Sequence, residues 1–559
     1  MRAATSSRAH VWAVAGTSLT ALAFAWWIGG RRVIDPTEID WLMKFDSQYH
    51  FLGWHFFRSE PWHFPPGLIT SYYAPVGTAI GFTDSIPLVA FALKPFSPWL
   101  PMPLQYFGIW LLSCFVLQGV FGVLLTSLWT RNPRIQAAGG LLFVLVPTLL
   151  GRVGHAALAS HWLLLWSLWM YLRESIAPVT WRHHVALGAL VGLIHPYLAA
   201  MVMLVLAALA VRRVLERSSP IPRRVLDAAT PVLAAGLAIA AGWWCSGLFS
   251  VSGADDLLST GLDQYSMNLL GPVAPVGWSR LIPELPLASE LQAFEGFQYL
   301  GAGILGLALV ALATALLRPA ISWRAALPLF IAVTLAAVYA LSPRITLGSQ
   351  VVLDYMHPAL SRLAIFRATG RFFWPAAYAL LAVSIGVVAS QLKPRAALLL
   401  LLAAIAVQFT DLYGHYVELR SGTHSEEFHT WHRPLQSPAW QALMPHYRHI
   451  VFYGPQQCGP AAVDFQQPAL MAAAYGLSIN TGHVARADRT ARLLYCRQLG
   501  RDINAGVVSD DAVYLVHKNL LDVFRANAQK PVVCTVLDGI PLCVTANTYE
   551  GWKGAAELR

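Results

Sequence analysis

The chain has 559 residues, of which 56% are hydrophobic and only 12% charged, and its formal net charge is +10. Soluble domains carry about 25% charged residues, so the composition excludes an ordinary soluble enzyme and points to a polytopic membrane protein. The excess of arginine does not mark a nucleic-acid binder, because the arginines fall between apolar runs and not on one basic domain; it fits the positive-inside bias of membrane proteins.

Taken in chain order, Arg2 and Arg8 precede an apolar stretch that runs through Trp26, Trp27 and Ile28. It is long enough to span a bilayer and reads as an uncleaved first helix, with a cleaved signal peptide as the alternative. Next comes "PTEIDWLMKFDSQYHFLGWHFFRSEPW", with Thr37 placed to cap and Pro61 placed to stop a helix over 38–58. Its Trp and Phe content predicts a helix lying in the membrane interface. On it Asp46, His50 and Trp54 share a face at i, i+4 and i+8, with Tyr49 beside them. Either this is an interfacial anchor or the aspartate is functional. Asp84, in "GFTDSIPL", is a second site carboxylate or a helix cap.

Further apolar runs lie at 105–129, 135–151, 157–172, 185–211, 229–250, 299–317, 325–341, 373–391 and 396–410. Arg131, Arg134, Arg173, Arg182, Arg318, Lys393 and Arg395 mark cytoplasmic connections. The run 185–211 would break the alternation by placing Arg212, Arg213, Arg217, Arg223 and Arg224 outside. Pro196 disrupts helical hydrogen bonding, so two short helices are expected, turning near His195–Tyr197, where both side chains would face an outer cavity. The sum is about eleven membrane segments.

Three stretches then lie outside: 31–104, 251–298 and 342–372. The second is acidic, with Asp255 and Asp256 among its carboxylates and a solvated loop as its plain reading. The third carries Arg344, Arg362, Arg367 and Arg371 against Asp354 alone, against the positive-inside bias, so its arginines need a use. "GRVGHAALASHW" offers Arg152, His155 and His161 near a turn, as phosphate or sugar contacts or as caps. "EGFQYLG" offers Glu295 and Tyr299 at the expected start of a membrane helix, where an acid suits the helix dipole and the aromatic company suits a sugar.

From 412 to 559 the chain turns polar and alternates strand-like runs (450–453, 512–517) with helical ones (469–477, 520–528), which predicts a small extracytoplasmic α/β domain after a membrane domain over 1–411. "VVCTVLDGIPLCVT" reads as a hairpin turning at Asp538–Gly539. An even number of cysteines in an outer domain suits disulfides, so Cys534–Cys543 and Cys458–Cys496 are expected, with buried free thiols as the alternative. Cys114 and Cys245 sit in apolar runs as packing. No phosphate-binding GxxxxGKS, CxxC, HExxH or GxSxG occurs.

An outer-loop aspartate, a Tyr/His-rich helix and a Pro-containing segment resemble the GT-C superfamily of integral membrane glycosyltransferases, closest to a bacterial branch. The matching stretches are "FDSQYHFLGWHFFRSEPWHFPPG", "PVGTAIGFTDSIPL", "GRVGHAALASHW", "LIHPY", "EGFQYLG" and "FRATGRFFW", within 1–410. The resemblance implies a mainly α, GT-C-like membrane fold in the bacterial inner membrane, with the C-terminal domain periplasmic. It implies transfer of a sugar from a polyprenyl-phosphate or polyprenyl-diphosphate donor to a glycan, lipid or protein acceptor, among membrane lipids and without nucleic acid. By position Asp46 would be the catalytic carboxylate, the base of an inverting transfer. Many members have Asp-Glu there, whereas this chain has Asp46–Ser47, which leaves a divalent cation open. Arg367 and Arg371, at i and i+4, would hold the donor phosphate or lipid headgroups. His50, Asp84, Arg152, His155, His195, Tyr197, Glu295 and Tyr299 complete the candidate binding set. The rival readings are a transporter or lipid flippase, with ionisable residues at broken helices in the midplane, and a non-enzymatic envelope assembly protein.

Overall fold

The computed structural model describes residues 4–216, 220–251, 262–317, 323–459 and 464–551; Arg217, Asp255, Asp256 and Arg318, used above in reading the loops, lie outside them. The chain forms two units. One takes in residues 1–35, 106–242 and 258–425, the other residues 36–105, 243–257 and 426–559.

Helices dominate the first unit. Among the described residues, six are long and apolar enough to cross a membrane: Arg8–Ile34, Phe107–Ser127, Pro196–Glu216, Ile221–Cys245, Thr369–Gln391 and Pro394–His424. Ala302–Leu317 and Ala325–Leu341 are shorter apolar helices. Pro133–Val144, Trp162–Arg173 and Trp181–Gly192 have 12 residues each, about 18 Å at 1.5 Å per residue, against a hydrocarbon core of about 30 Å. The architecture is that of a membrane protein with a small sheet toward its C-terminus.

Local chemistry explains the breaks. The apolar run 135–151 splits because Pro147 opens a new turn at Pro147–Leu150 and can donate no helical bond back. The run 185–211 splits at 193–195 for the same reason, with Pro196 opening the next helix. That second helix has 21 residues and is longer than the expected short arm of a hairpin. At the other end of this unit, the helix that begins at Pro394 runs to His424, past the change in composition at 412. Asp411 does not end it, because its carboxylate is fully buried and taken up by neighbours: Oδ2 accepts from Tyr299 Oη at 2.6 Å and from Ala302 N at 2.9 Å, and Oδ1 accepts from Ser279 Oγ.

The second unit is built on a five-stranded sheet. Edge to edge it runs Ser478–Ile479, His449–Tyr453, Ala512–Val516, Ile540–Thr545, Val532–Leu537. The first three strands are mutually parallel and the last two join antiparallel. The expected hairpin is present, with Asp538 and Gly539 both at positive φ in its turn. Both expected disulfides form, Cys458–Cys496 and Cys534–Cys543. Residues 36–105 belong to this unit. Tyr72 makes a parallel bridge to Ile479, and the bonds Ile479 N to Ser71 O (2.8 Å) and Ala74 N to Ile479 O (2.9 Å) extend it.

The aromatic stretch differs from its expected form. Its helix spans Ser47–Ser59, not 38–58, because a 3-10 turn at Asp40–Leu42 and positive φ at Phe45 interrupt the chain first. Phe51, Leu52, Trp54, Phe56 and Phe57 are buried, and the helix packs against Gln466–Tyr475. Its buried aromatic rings are therefore part of the core of this unit, each worth about 2–3 kcal/mol relative to exposure, and not a stripe laid on lipid.

Candidate functional site

In the first unit, three charged residues from separate parts of the sequence meet out of water. Arg152 follows the turn Pro147–Leu150, Glu295 follows the short helix Glu290–Phe294, and Arg371 lies in the 3-10 turn Thr369–Phe373. They are 3%, 5% and 8% exposed. Glu295 Oε2 accepts from Arg152 Nη1 at 2.6 Å and from Arg371 Nε and Nη2 at 2.9 and 2.7 Å. His155 Nε2 lies 3.4 Å from Glu295 Oε1.

Two glycines permit this approach. A Cβ on Gly296 would lie 2.1 Å from Ser266 O, and one on Gly370 would lie 2.9 Å from Gly296 Cα. The turn bearing Arg371 can thus press on the turn bearing Glu295 only without side chains there. A polar network fixes the same region. Asn268 Nδ2 donates to Gln292 Oε1 and Thr346 Oγ1, and Gln292 Nε2 donates to Ser266 Oγ, all between 2.9 and 3.3 Å. Aromatic rings flank both cations, with Arg152 over Trp374 at 5.8 Å and Arg371 over Tyr197 at 4.9 Å.

Burial alone would raise the Glu295 pKa, but Arg371 and Arg152, with a hydrogen bond from His155, outweigh it and hold the carboxyl well below its ordinary value. Glu295 is therefore an anion shared by two guanidiniums. Arg152 Nε is buried with no hydrogen-bond partner among the described residues. Buried guanidinium N–H groups fixed side by side are suited to an anion.

The neighbours of the cluster have plainer roles. His195 Nδ1 accepts from Tyr197 N at 3.1 Å, which caps the helix that Pro196 opens. Tyr197 Oη accepts from Ala368 N at 2.9 Å. His161 Nδ1 lies 2.7 Å from Tyr378 Oη, with its ring 4.1 Å from that of Trp374. Arg367 does not join Arg371; it is exposed, over the Tyr265 ring at 4.7 Å. Tyr299 is committed to Asp411. Glu295 closes a short helix and does not start the membrane helix, which begins at Ala302. The helix dipole therefore does not account for it.

The second unit holds the other candidates. Asp46 is exposed and immediately precedes the helix Ser47–Ser59; its carbonyl accepts from Tyr49 N at 3.0 Å. Tyr49 stacks on His483 at 4.2 Å. Burial first, and then the charge of Asp46, raise the Tyr49 pKa. His50 is buried with Nε2 3.9 Å from Asp84 Oδ2. The segment bearing Asp84 is held tightly. Ser85 Oγ donates to His50 O at 2.6 Å, and a Cβ on Gly53 would collide with Thr83 at 2.3 Å. Asp84 and Ile86 both sit at positive φ, 55° and 51°, a strain of order 1–3 kcal/mol each. Asp84 does not cap the next helix; Ile86 occupies that position. His50 and Asp84 offer an imidazole nitrogen and a carboxylate oxygen, donor types that suit a transition-metal ion.

Sequence reasoning missed Gly296, Gly370, Asn268, Gln292 and Trp374. The signal for the glycines was present, since each adjoins a charged residue in "EGF" and "TGR".

The family described as "Domain of unknown function (DUF6311)" matches residues 18–413, and the "DUF6311 C-terminal domain" matches residues 439–545. A comparison with curated proteins finds no match. Among solved structures, the chain is similar to the Archaeoglobus fulgidus oligosaccharyltransferase in its complex with Zn and sulfate, at 11% identity and a TM-score of 0.40, covering 92% of this chain and 70% of that one. The apo form of the same enzyme matches at 12% identity and a TM-score of 0.38, over 92% and 71%.

Proposed function

The chain belongs to the DUF6311 family, and we propose that it is an integral membrane glycosyltransferase of GT-C type, which moves a sugar from a polyprenyl-phosphate or polyprenyl-diphosphate donor to an extracytoplasmic acceptor. The observation that carries the reading is the buried cluster of two arginines on one glutamate, Arg152 and Arg371 on Glu295.

In this reading the acceptor hydroxyl oxygen attacks the anomeric carbon and the bond from that carbon to the phosphate oxygen breaks with inversion. Asp46 takes the acceptor proton, an effect of typically 10²–10⁴-fold. The electron pair leaves with the phosphate, and Arg152 and Arg371 stabilise the charge that develops, with His155 as a further donor. Fixed guanidiniums suit this task because their N–H groups are set in place before the charge appears. Arg367 serves as an outer phosphate or headgroup contact, and Tyr197 supports Arg371. The acceptor is a glycan, lipid or protein. A divalent cation, should the reaction use one, would find its ligands in His50 and Asp84, and its charge would favour anionic substrate forms.

We read the membrane part as about eleven segments in a bacterial inner membrane, with the 12-residue helices penetrating only part of its thickness. The two disulfides support an oxidising, extracytoplasmic setting for the C-terminal domain.

The test is single-turnover release of polyprenyl phosphate or diphosphate by purified protein in lipid, given a panel of polyprenyl-linked sugars and a membrane extract as the acceptor source. Wild type should release the carrier and Asp46→Asn should not, while remaining folded. Release that survives Asp46→Asn would move the base elsewhere, to Asp84 first. A transporter or flippase would bind the donor and release nothing, which would end the enzyme reading once acceptor supply was verified.

A further inference from the structure

The hairpin Arg344–Leu347/Gln350–Asp354 in the first unit has an uncommon surface. All five residues of its second strand are exposed, so both faces of that strand are open. Val351, Val352 and Leu353 form its centre, at 44%, 58% and 50% exposure, and Tyr355 and Met356 follow at 46% and 49%. Facing water, such a strand is an edge that invites aggregation. Exposed apolar patches beyond a few hundred Å² mark interaction sites.

The hairpin is firmly held on its other side. Leu269 N donates to Thr346 O at 2.9 Å, and Asn268 Nδ2 donates to Thr346 Oγ1 and Gly348 O at 2.9 and 2.8 Å. Thr346 is buried and Leu347 is exposed. One strand is thus anchored in the protein through its own backbone and Thr346, and its partner is presented outward.

What covers it follows from continuity. The helix Trp323–Leu341 ends three residues before Arg344, and its Phe330, Leu335 and Val338 are 65%, 58% and 50% exposed. In a spanning helix such a face meets lipid. Its apolar part, Ala325–Leu341, is about 26 Å long at 1.5 Å per residue, short of a hydrocarbon core of about 30 Å. The apolar surface therefore has to continue beyond Leu341, and the hairpin continues it. The hairpin's flanks carry groups suited to the headgroup level. Arg362 is an exposed cation, Arg344 pairs with Asp263 and Asp354 at 3.6 and 3.7 Å at the base of the hairpin, and Tyr355 is an amphipathic ring.

We infer that the hairpin Arg344–Asp354 inserts its second strand into the membrane leaflet on the side of the Arg152–Glu295–Arg371 cluster. Through Asn268 and Gln292 this leaflet contact is tied to the loop that carries Glu295, so the hairpin sets the depth of the cluster relative to the lipid surface. The inference does not depend on the enzymatic reading.

The test places an environment-sensitive fluorophore at Val352→Cys and, in a second protein, at Leu353→Cys, both in a Cys114→Ser/Cys245→Ser background and reconstituted in phosphatidylcholine/phosphatidylglycerol nanodiscs. Gln498→Cys, exposed in the other unit, is the aqueous reference. Insertion predicts blue-shifted emission at Val352, quenching by lipids that carry a nitroxide on the acyl chain, and iodide quenching several-fold weaker than at Gln498. The result that overturns it is strong iodide quenching without lipid quenching. Iodide protection without lipid quenching would also overturn it, since a second protein copy would then cover the strand. If the Val352 variant fails to fold, the Leu353 label, on the same strand, gives the same decision.

Discussion

The two units hold their candidate residues in opposite ways. In the first, the cluster of Arg152, Glu295 and Arg371 is buried, with bonds of 2.6 to 2.9 Å between full charges. In the second, Asp46 is exposed, His50 stands 3.9 Å from Asp84, and the backbone at Asp84 and Ile86 is strained. The difference separates two kinds of readiness. On the proposed reading, the charges that hold an anionic leaving group are set in advance, where a low dielectric strengthens them. On the proposed reading, Asp46, the carboxylate that takes the acceptor proton, is the one left exposed, where an acceptor can reach it.

The sharpest way to break this contrast is to remove the central anion. Glu295→Gln keeps the shape but removes the carboxylate that two buried guanidiniums share, and should cost about 3–5 kcal/mol of stability, read as a lower thermal midpoint in nanodiscs. Asp84→Asn, in the strained and more open segment, should change the same midpoint far less. If the two variants are equally destabilised, the cluster is not the rigid partner of the pair.

Next come the disulfides, which stabilise the second unit alone. They close loops of 38 and 9 residues, so the chain-entropy relation gives about 4 kcal/mol for Cys458–Cys496 and about 2.5 kcal/mol for Cys534–Cys543. Paired serine variants should follow that order in denaturant unfolding.

Acid should then separate the units. Burial, helped by the charge of Arg58, pushes the His55 pKa down to about 3, against about 6.5 in an unfolded chain. The unfolded state binds the proton first, so this contribution is whole above about pH 6.5 and is lost as pH falls from there toward 3. Glu295, also lowered, gives a contribution that is whole above about pH 4.3 and is lost only below it. Hydrogen exchange at pH 5 should therefore show the Ser47–Ser59 helix loosening while the Glu290–Phe294 turn stays protected, and His55→Phe should remove most of that difference.

The smallest effect is the most specific to substrate. Arg371→Lys keeps the charge but loses the paired Nε and Nη2 donation to Glu295. If the proposed reading holds, it should raise the donor KM about tenfold, roughly 1.4 kcal/mol, with the midpoint little changed.

Much of this was legible in the sequence, for reasons that differ along the chain. Apolar runs and prolines announce helices and their breaks, so the interruption at Pro196 could be read directly. The hairpin at Asp538–Gly539 and both disulfides were also readable, because turn chemistry and cysteine parity are local signals. Long-range pairing was not. That Arg371 would turn to Glu295 while Arg367 stayed outside depends on contacts across 76 residues. The aromatic helix misled for a related reason. Rings that suit a lipid interface suit a protein core equally well, and only the partner helix Gln466–Tyr475 decides between them.

That partnership has a consequence for how the protein is made. Residues 36–105 and 426–559 complete one unit, with about 320 residues between them. At 5–20 residues per second, a ribosome takes roughly 15–60 s to deliver the second piece after the first. Throughout that interval the Asp46 helix has emerged without the partner that buries its aromatic face. The nascent chain therefore presents a sticky intermediate for most of its synthesis, and a chaperone or the insertion machinery has a defined client segment and a defined time for which to hold it.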